Sequence, residues 1–472
     1  MQDAKFILQA AIRTDFQVFT EKVFTWLSPG DTYEHALYIE AIGYQLMRCQ
    51  EGKSNRLVIN VPPRHLKSIM VSVAFVAWAL GHDPTKKFIC ASYAQDLSDV
   101  FSKQTRDIMT SDWYLKTFPK TRIKADSNTK SRFETTQGGG RTATSIGGSL
   151  TGMGGDYLII DDAHKADEAN SDAQRERALS WYRHTATSRL NNPSQGVVIV
   201  IGQRIHEEDL PGWLIENASF VHLNLPAIAE KYEQILLGKG HTWHRKKDEL
   251  LNPARQSTEY LDEQKRVMGS LAFAAQYQQR PTPIGGYLVQ RKWFKYHNNS
   301  WRRQEGDLVI QSWDTAVSTD QHNDPSVCIT ALLRGNNVYV LDVQKLRVEH
   351  PTLIRRARKL QQEYSADWVL VESMGVGKPL SQQLLADGMN NVVAVQHQTN
   401  KADRLLAESP LIEQGRVFLP KEAPWLADFL DEVTRFPKSK HDDQVDSLSQ
   451  LLYWYRRRSA QMTPLTSIIT FV

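Results

Sequence analysis

Cysteine is scarce in this chain. Only Cys49, Cys90 and Cys328 occur in 472 residues, far apart and without metal-ligand spacing. That excludes a disulfide framework and a cysteine-based zinc site, and it reads as buried thiols in a reducing compartment. Long apolar runs are missing too. The stretch 71–80 is among the longest and falls well short of a membrane span, so no membrane partner is expected. The start, Met1-Gln2-Asp3-Ala4-Lys5, lacks the basic-then-apolar order of a signal peptide, and the expected location is the cytosol. Charge of one sign is also absent. Lys and Arg number 57 against 53 Asp and Glu, leaving +4, which permits nucleic-acid contact without arguing for it. What is present, 41% hydrophobic and 23% charged residues, is the make-up of a globular protein, and the length predicts two or three domains.

Glycine is lacking at one telling place. In Leu57-Val58-Ile59-Asn60-Val61-Pro62-Pro63-Arg64-His65-Leu66-Lys67-Ser68 an apolar strand leads through a basic loop to Lys-Ser, and 69–80 reads as a helix. Strand, loop, Lys-Ser and helix is the order that cradles nucleotide phosphate with backbone N–H groups. Lys67 would add a point charge and Ser68 a hydroxyl for Mg²⁺. Yet Val61 and Leu66 stand where the P-loop pattern wants glycine. Upstream, residues 1–50 read as helical, with Phe16, Phe19, Val23 and Phe24 on one buried face. Tyr38 and Gln45 are candidates for holding an adenine ring, with ordinary packing the stronger reading for both.

Downstream, 87–91 and 94–109 read as strand and helix, a wound α/β pattern. A glycine-rich stretch from 138 to 155 reads as a loop or hairpin, and its Arg141 is a candidate charge-stabilising arginine. Tyr157-Leu158-Ile159-Ile160-Asp161-Asp162 predicts a strand buried on both faces with two acids at its C-terminal end, where ligands bind in open α/β sheets. Asp161 would hold the Mg²⁺ water shell and Asp162 would position the attacking water, against a bland strand-to-loop turn. Another apolar strand, 195–201, ends in Gly202-Gln203-Arg204. Gln203 is the candidate γ-phosphate sensor and Arg204 a second phosphate contact, although both fit plain strand-end polar residues.

The second half carries acids on separate elements. Leu308-Val309-Ile310-Gln311-Ser312-Trp313-Asp314 predicts a strand ending in a carboxylate. Two more strands joined through Arg334-Gly335-Asn336-Asn337 suggest a hairpin. Then come a basic helix at 351–364, the strand Trp368-Val369-Leu370-Val371-Glu372, and a late helix opened by His441-Asp442-Asp443-Gln444-Val445-Asp446. This order matches the ribonuclease H-like plan, in which convergent carboxylates hold two divalent cations. Asp314 and Glu372 are the firm metal candidates. Asp442 and Asp446 share a helix face and Asp443 lies off it, so the choice among Asp442, Asp443 and Asp446 stays open. Hard oxygen donors select Mg²⁺ or Mn²⁺. An acidic helix cap is the rival reading of the last cluster, but it leaves the acids on two separate strands unexplained.

Three pieces resemble the large terminase subunit of tailed bacteriophages, an ATP-driven DNA-packaging motor and nuclease. They are Pro62-Pro63-Arg64-His65-Leu66-Lys67-Ser68, Ile159-Ile160-Asp161-Asp162-Ala163-His164-Lys165 and Val200-Ile201-Gly202-Gln203-Arg204-Ile205-His206-Glu207-Glu208-Asp209-Leu210. Glycine-poor variants of the phosphate loop are familiar in that family, whereas its usual Asp-Glu pair is Asp-Asp here. The resemblance implies an ASCE-type P-loop ATPase with a wound, mostly parallel sheet, followed by an RNase H-like nuclease. It implies ATP with Mg²⁺, bound by Arg64, His65, Lys67 and Ser68. Catalytic acids would be Asp161 and Asp162 in the first domain and Asp314, Glu372 and Asp443 in the second. It further implies double-stranded DNA as substrate, a portal protein and a small terminase subunit as partners, a homo-oligomeric ring, and the host cytoplasm as location. Lys401-Ala402-Asp403-Arg404 resembles a basic element near the nuclease centre; DNA phosphate or solvent would face it. The expected organisation is a helical segment at 1–50 and an ATPase domain at 51–285 with a linker from 216. A nuclease domain at 286–458 and a flexible tail at 459–472 complete it. A helicase-nuclease of DNA repair and a non-enzymatic DNA-binding scaffold are the rivals.

Overall fold

The computed structural model describes residues 2–168, 171–281, 288–298, 301–315, 325–373, 377–397, 399–439 and 441–462. The expected Gly285-Gly286 connector and the apolar end of the tail lie outside them. Two compact units are present, Met1–Lys265 with Leu271–Thr282, and Arg266–Ser270 with Pro283–Val472. No helix among the described residues is long and apolar enough to cross a membrane.

In the first unit, runs of β-branched residues form a sheet of eight strands: β1 Arg56–Asn60, β2 Lys87–Ser92, β3 Ile123–Asn128, β4 Arg132–Thr135, β5 Gly140–Ser145, β6 Tyr157–Asp161, β7 Val197–Gly202 and β8 Val221–Asn224. Their order is β3-β4-β5-β2-β6-β7-β1-β8. Every pair from β5 to β8 is parallel, and β3–β4 and β4–β5 are antiparallel. Successive side chains point to opposite faces, and both faces are covered. Leu57, Ile59, Ile159 and Ile199 enter one core with Phe16, Phe19 and Val23 of the helix Phe16–Leu27. Val58, Leu158, Ile160, Val198 and Val200 enter the other with Trp181 and Leu214. Doubly buried parallel strands leave only their ends free to carry chemistry.

The glycine-rich stretch divides into a turn, the strand β5 and the loop that leads to β6, and its first glycines make the turn. In that β4–β5 turn a Cβ at Gly139 would lie 2.4 Å from the Pro84 carbonyl oxygen. A two-stranded hairpin, β9 Glu233–Gly238 and β10 His241–Arg245, follows β8.

The second unit holds seven strands: β11 Lys295–His297, β12 Leu308–Asp314, β13 Ser326–Arg334, β14 Asn337–Leu346, β15 Trp368–Glu372, β16 Val392–Val395 and β17 Val417–Pro420. The order is β11-β17-β14-β13-β12-β15-β16, with β12, β13 and β14 antiparallel and the remaining pairs parallel. The turn between β13 and β14 places Gly335 at φ 53° opposite the Arg334–Asn337 pair. The helix Asp443–Met462 crosses β12 through a ladder of hydroxyl and amide bonds. Ser312 Oγ donates to Ser447 O (2.8 Å), Ser447 Oγ to Ser312 O (2.7 Å) and Gln450 Nε2 to Ser312 Oγ (3.0 Å). Residues 459–462, assigned to a flexible tail, continue this helix. Arg456-Arg457-Arg458, just before them, is held by side-chain contacts. Arg456 pairs with buried Glu408, Arg457 bonds Tyr453, and Arg458 lies over Trp368 and Trp454.

Candidate nucleotide and metal centres

The loop after β1 solves its missing glycines by strain. Arg64 and Leu66 hold left-handed backbone, φ 65° and 54°, at roughly 1–2 kcal/mol each. Alternation of right- and left-handed residues turns successive N–H groups inward as an anion-binding nest. Buried contacts hold the loop there. Pro63 O accepts from His65 Nδ1 (3.0 Å) and from Gln256 Nε2 (3.2 Å), and the His65 ring meets Tyr38 edge-on at 5.1 Å. His65 is fully buried, which pushes its pKa down to about 4. The expectation of a phosphate ligand is corrected to this extent: the Nδ1 face of the buried ring pins the loop. Tyr38 and Gln45 are likewise buried, as ordinary packing would have them. Arg64 stays exposed at the apex.

Lys67 and Ser68 begin a helix that runs as a π-helical segment Ile69–Phe75 into the α-helix Val76–His82. Ser68 Oγ donates to Asp161 Oδ1 at 3.2 Å, and Ser72 Oγ to Asp161 Oδ2 at 2.7 Å. Ser72, four residues on from Ser68, was missed by the motif; helical spacing was the available signal. Burial, then the charge of Asp162, raises the Asp161 pKa to about 6, against Lys67, Ser72 and Ser68. Asp162 turns away through a left-handed φ of 49° and pairs with Lys67 Nζ. Two successive carboxylates thus face different partners.

Gln203 follows β7, and its Oε1 is buried without a hydrogen-bond partner among the described residues. Arg204 is not a phosphate contact. Its Nε bonds Asp209 at 2.8 and 3.1 Å, and its Nη2 donates to His206 O and Glu207 O. Arg141 needs the same correction. It lies buried on β5, donating to Ser72 O (2.5 Å), Phe101 O (3.1 Å) and Thr105 Oγ1 (2.6 Å). Through its Nη1 alone the buried guanidinium ties the helix after the loop to the helix Gln95–Thr110, so its place is in the framework between them.

The second centre is composite. Asp314 ends β12 and Glu372 ends β15, two strands that pair in parallel. Asp443 and Asp446 come from the first turn of the helix Asp443–Met462. Burial raises the Asp314 pKa well above the carboxylate range, with the charges of Asp446, Glu372 and Asp443 adding in that order. Asp442 sits at the rim. Lys401 Nζ bridges Asp442 Oδ1 (2.7 Å) and Asp446 Oδ2 (2.6 Å), and Arg404 pairs with Asp446 and lies 3.7 Å from Glu372. Lys401 and Arg404 therefore pair with the acids, while Lys401 keeps half of its side chain exposed. Among the described residues no group of three His, Cys, Asp or Glu side chains is drawn together closely enough to hold a metal ion. The donor set nonetheless suits a hard divalent cation, because Asp314 sits among three carboxylates that a cation would neutralise.

A family model described as the terminase RNase H-like domain matches residues 311–453. No curated protein matches the chain. Among solved structures, the large terminase of a thermophilic bacteriophage in complex with ATP-gamma-S is similar at 10% identity. That match covers 86% of this chain and 98% of that one, at a TM-score of 0.49. The bacteriophage HK97 large terminase matches at 10% identity over 92% and 99% of the two chains, TM-score 0.36. The magnesium-bound terminase nuclease of the thermophilic phage G20c matches at 18% over 36% and 96%, TM-score 0.28. The acids on β12, on β15 and at the start of the last helix all fall inside residues 311–453, the segment that is similar to the terminase RNase H-like domain.

Proposed function

We propose that the chain is a large terminase subunit: an ATPase that drives double-stranded DNA and a divalent-metal endonuclease that cuts it. One observation carries the reading. Asp314, Glu372, Asp443 and Asp446 converge from three elements inside the terminase RNase H-like segment, on a chain that also carries the Lys67–Asp162 and Ser68–Asp161 contacts.

In the ATPase, Lys67 and Arg64 bind nucleotide phosphate, and Ser68 with Asp161 offers oxygens to its Mg²⁺. Lys67 is shared between Asp162 and phosphate, so nucleotide binding frees the Asp162 carboxylate to orient the attacking water. Gln203 reads the γ-phosphate by donating from its side-chain amide nitrogen, which leaves its unpartnered carbonyl oxygen to accept from the attacking water.

In the nuclease, Asp314, Glu372, Asp443 and Asp446 hold Mg²⁺ or Mn²⁺, with Asp442 at the rim. The bound metal supplies a polarised water and neutralises charge developing on the phosphodiester. Lys401 and Arg404 hold the acids in place from behind and set their orientation. The partners are double-stranded DNA, contacted mainly through phosphate because translocation cannot depend on base identity, a portal protein, a small terminase subunit and further copies of the chain in a ring. The work takes place in the host cytoplasm.

Mg²⁺-dependent ATP hydrolysis and plasmid cleavage test both centres, with Lys67→Ala, Asp161→Ala and Asp314→Ala as probes. ATP turnover that survives Lys67→Ala, or cleavage that survives Asp314→Ala, sinks the corresponding half.

A further inference from the structure

The stretch between β8 and the second unit carries no motif chemistry, yet it reaches the nucleotide centre twice. Gln256 holds the Pro63 carbonyl of the phosphate loop. Gln279 reaches the tip of β7, where its Oε1 accepts the Arg204 backbone N–H at 2.8 Å. We propose that Gln279 is a positioning residue of the ATPase, setting the Gly202-Gln203-Arg204 tip against Asp162. The proposal deepens the ATPase reading and rests on it.

Four observations support the assignment. Gln279 is buried and holds left-handed backbone at φ 54°, a conformation that costs a non-glycine residue about 1 kcal/mol or more and persists only where surroundings impose it. Those surroundings are rigid. Tyr277 O accepts from Ala227 N (2.7 Å), and the Gln278 side chain bonds both Ile228 N (3.0 Å) and Ile228 O (2.9 Å). Gln279 Nε2 donates to Gln276 O, which leaves its carbonyl oxygen aimed at Arg204.

The receiving turn is fixed at its other end, since Asp209 locks the Arg204 side chain. Finally, the tip lies against Asp162. A Cβ on Gly202 would lie 2.9 Å from Asp162 Oδ1, and Gly202 O accepts from Asn60 Nδ2 (3.1 Å) and Val61 N (3.4 Å) at the start of the phosphate loop. Gln203 sits between these two fixed residues. Removing the Gln279 acceptor releases the Arg204 N–H and lets the turn, and with it Gln203, drift from Asp162. A 1 Å misplacement of this kind costs rate more than binding.

Steady-state ATP hydrolysis by the full chain tests this. Gln279→Ala is expected to lower kcat about tenfold while KM for ATP stays within about twofold. Gln279→Glu keeps an acceptor for the Arg204 N–H and is expected to recover kcat to within about threefold of the parent. Gln279→Gly relieves the left-handed backbone and should melt no lower than Gln279→Ala, yet keep the kcat loss. The proposal is overturned if Gln279→Ala keeps its kcat, if its loss falls on KM, if Gln279→Glu fails to rescue, or if Gln279→Gly restores turnover. Turnover that persists in Lys67→Ala overturns the ATPase reading instead, so the two failures are distinguishable.

Discussion

Asp161 and Asp162 are neighbours in sequence at the end of one strand, whereas Asp314 and Glu372 are far apart and meet only because β12 and β15 pair. The first centre separates its two acids by a left-handed turn at Asp162 and gives each its own partner, Ser68 and Ser72 for one and Lys67 for the other. The second crowds its acids around Asp314 and counters them with two cations from the helix Lys401–Glu413. A contiguous motif needs local backbone geometry to keep like charges apart. A composite site needs tertiary packing to bring them together, and outside cations to hold them until metal binds.

The sharpest way to break this comparison is to remove one centre and read the other. Asp314→Asn should lower plasmid cleavage by at least about 10³-fold and leave ATP turnover within about twofold. Parallel loss of both activities would mean the centres are not independent. Lys67→Ala should cut ATP turnover by about 10²-fold or more, with phosphate release as the readout, and spare metal-dependent cleavage.

A smaller effect separates the electrostatics. The Asp161 pKa is raised to about 6 from 3.8 in the unfolded chain, so the folded state binds more protons between these values. Stability attached to this group is complete below about pH 4 and is lost as pH rises toward about 6. Asp161→Asn, which never ionises, should therefore melt higher than the parent at pH 7–8, with the gap closing as pH falls below about 4. A gap independent of pH would show that burial of the charge is not the cause.

The smallest effect concerns the loop itself. Arg64→Gly and Arg64→Ala remove the same side chain, but only glycine is at ease at φ 65°. The glycine variant should be more stable by about 1 kcal/mol in chemical denaturation, while both raise KM for ATP. Equal stabilities would rule out a strained loop.

Burial separates the readings that held from those that did not. The strands bearing Asp161 and Asp314 were legible because runs such as Tyr157-Leu158-Ile159-Ile160 are buried on both faces, and chemistry can lie only at their ends. Arg141 and His65 look functional in a list of residues, being a cation after glycines and an imidazole in a phosphate loop. Each is enclosed by segments distant in sequence, the helix Gln95–Thr110 for one and Tyr38 with Gln256 for the other. The stretch holding Gln279 assigned no chemistry for the converse reason, since the partner of Gln279 is a backbone N–H distant in sequence.

The sequence by itself determined the main buried strands and placed Lys67-Ser68, Asp161 and Asp314 at or just beyond their ends. Periodicity and local motif chemistry act over a few residues and can be read directly. Only the tertiary structure decided which acids of the last helix crowd Asp314, that Arg141, Arg204 and His65 serve the framework, and that Leu66 and Arg64 bend where glycine was expected. Those outcomes depend on burial and on long-range hydrogen bonds, which set the cost of a charge or a strained backbone and leave no local trace.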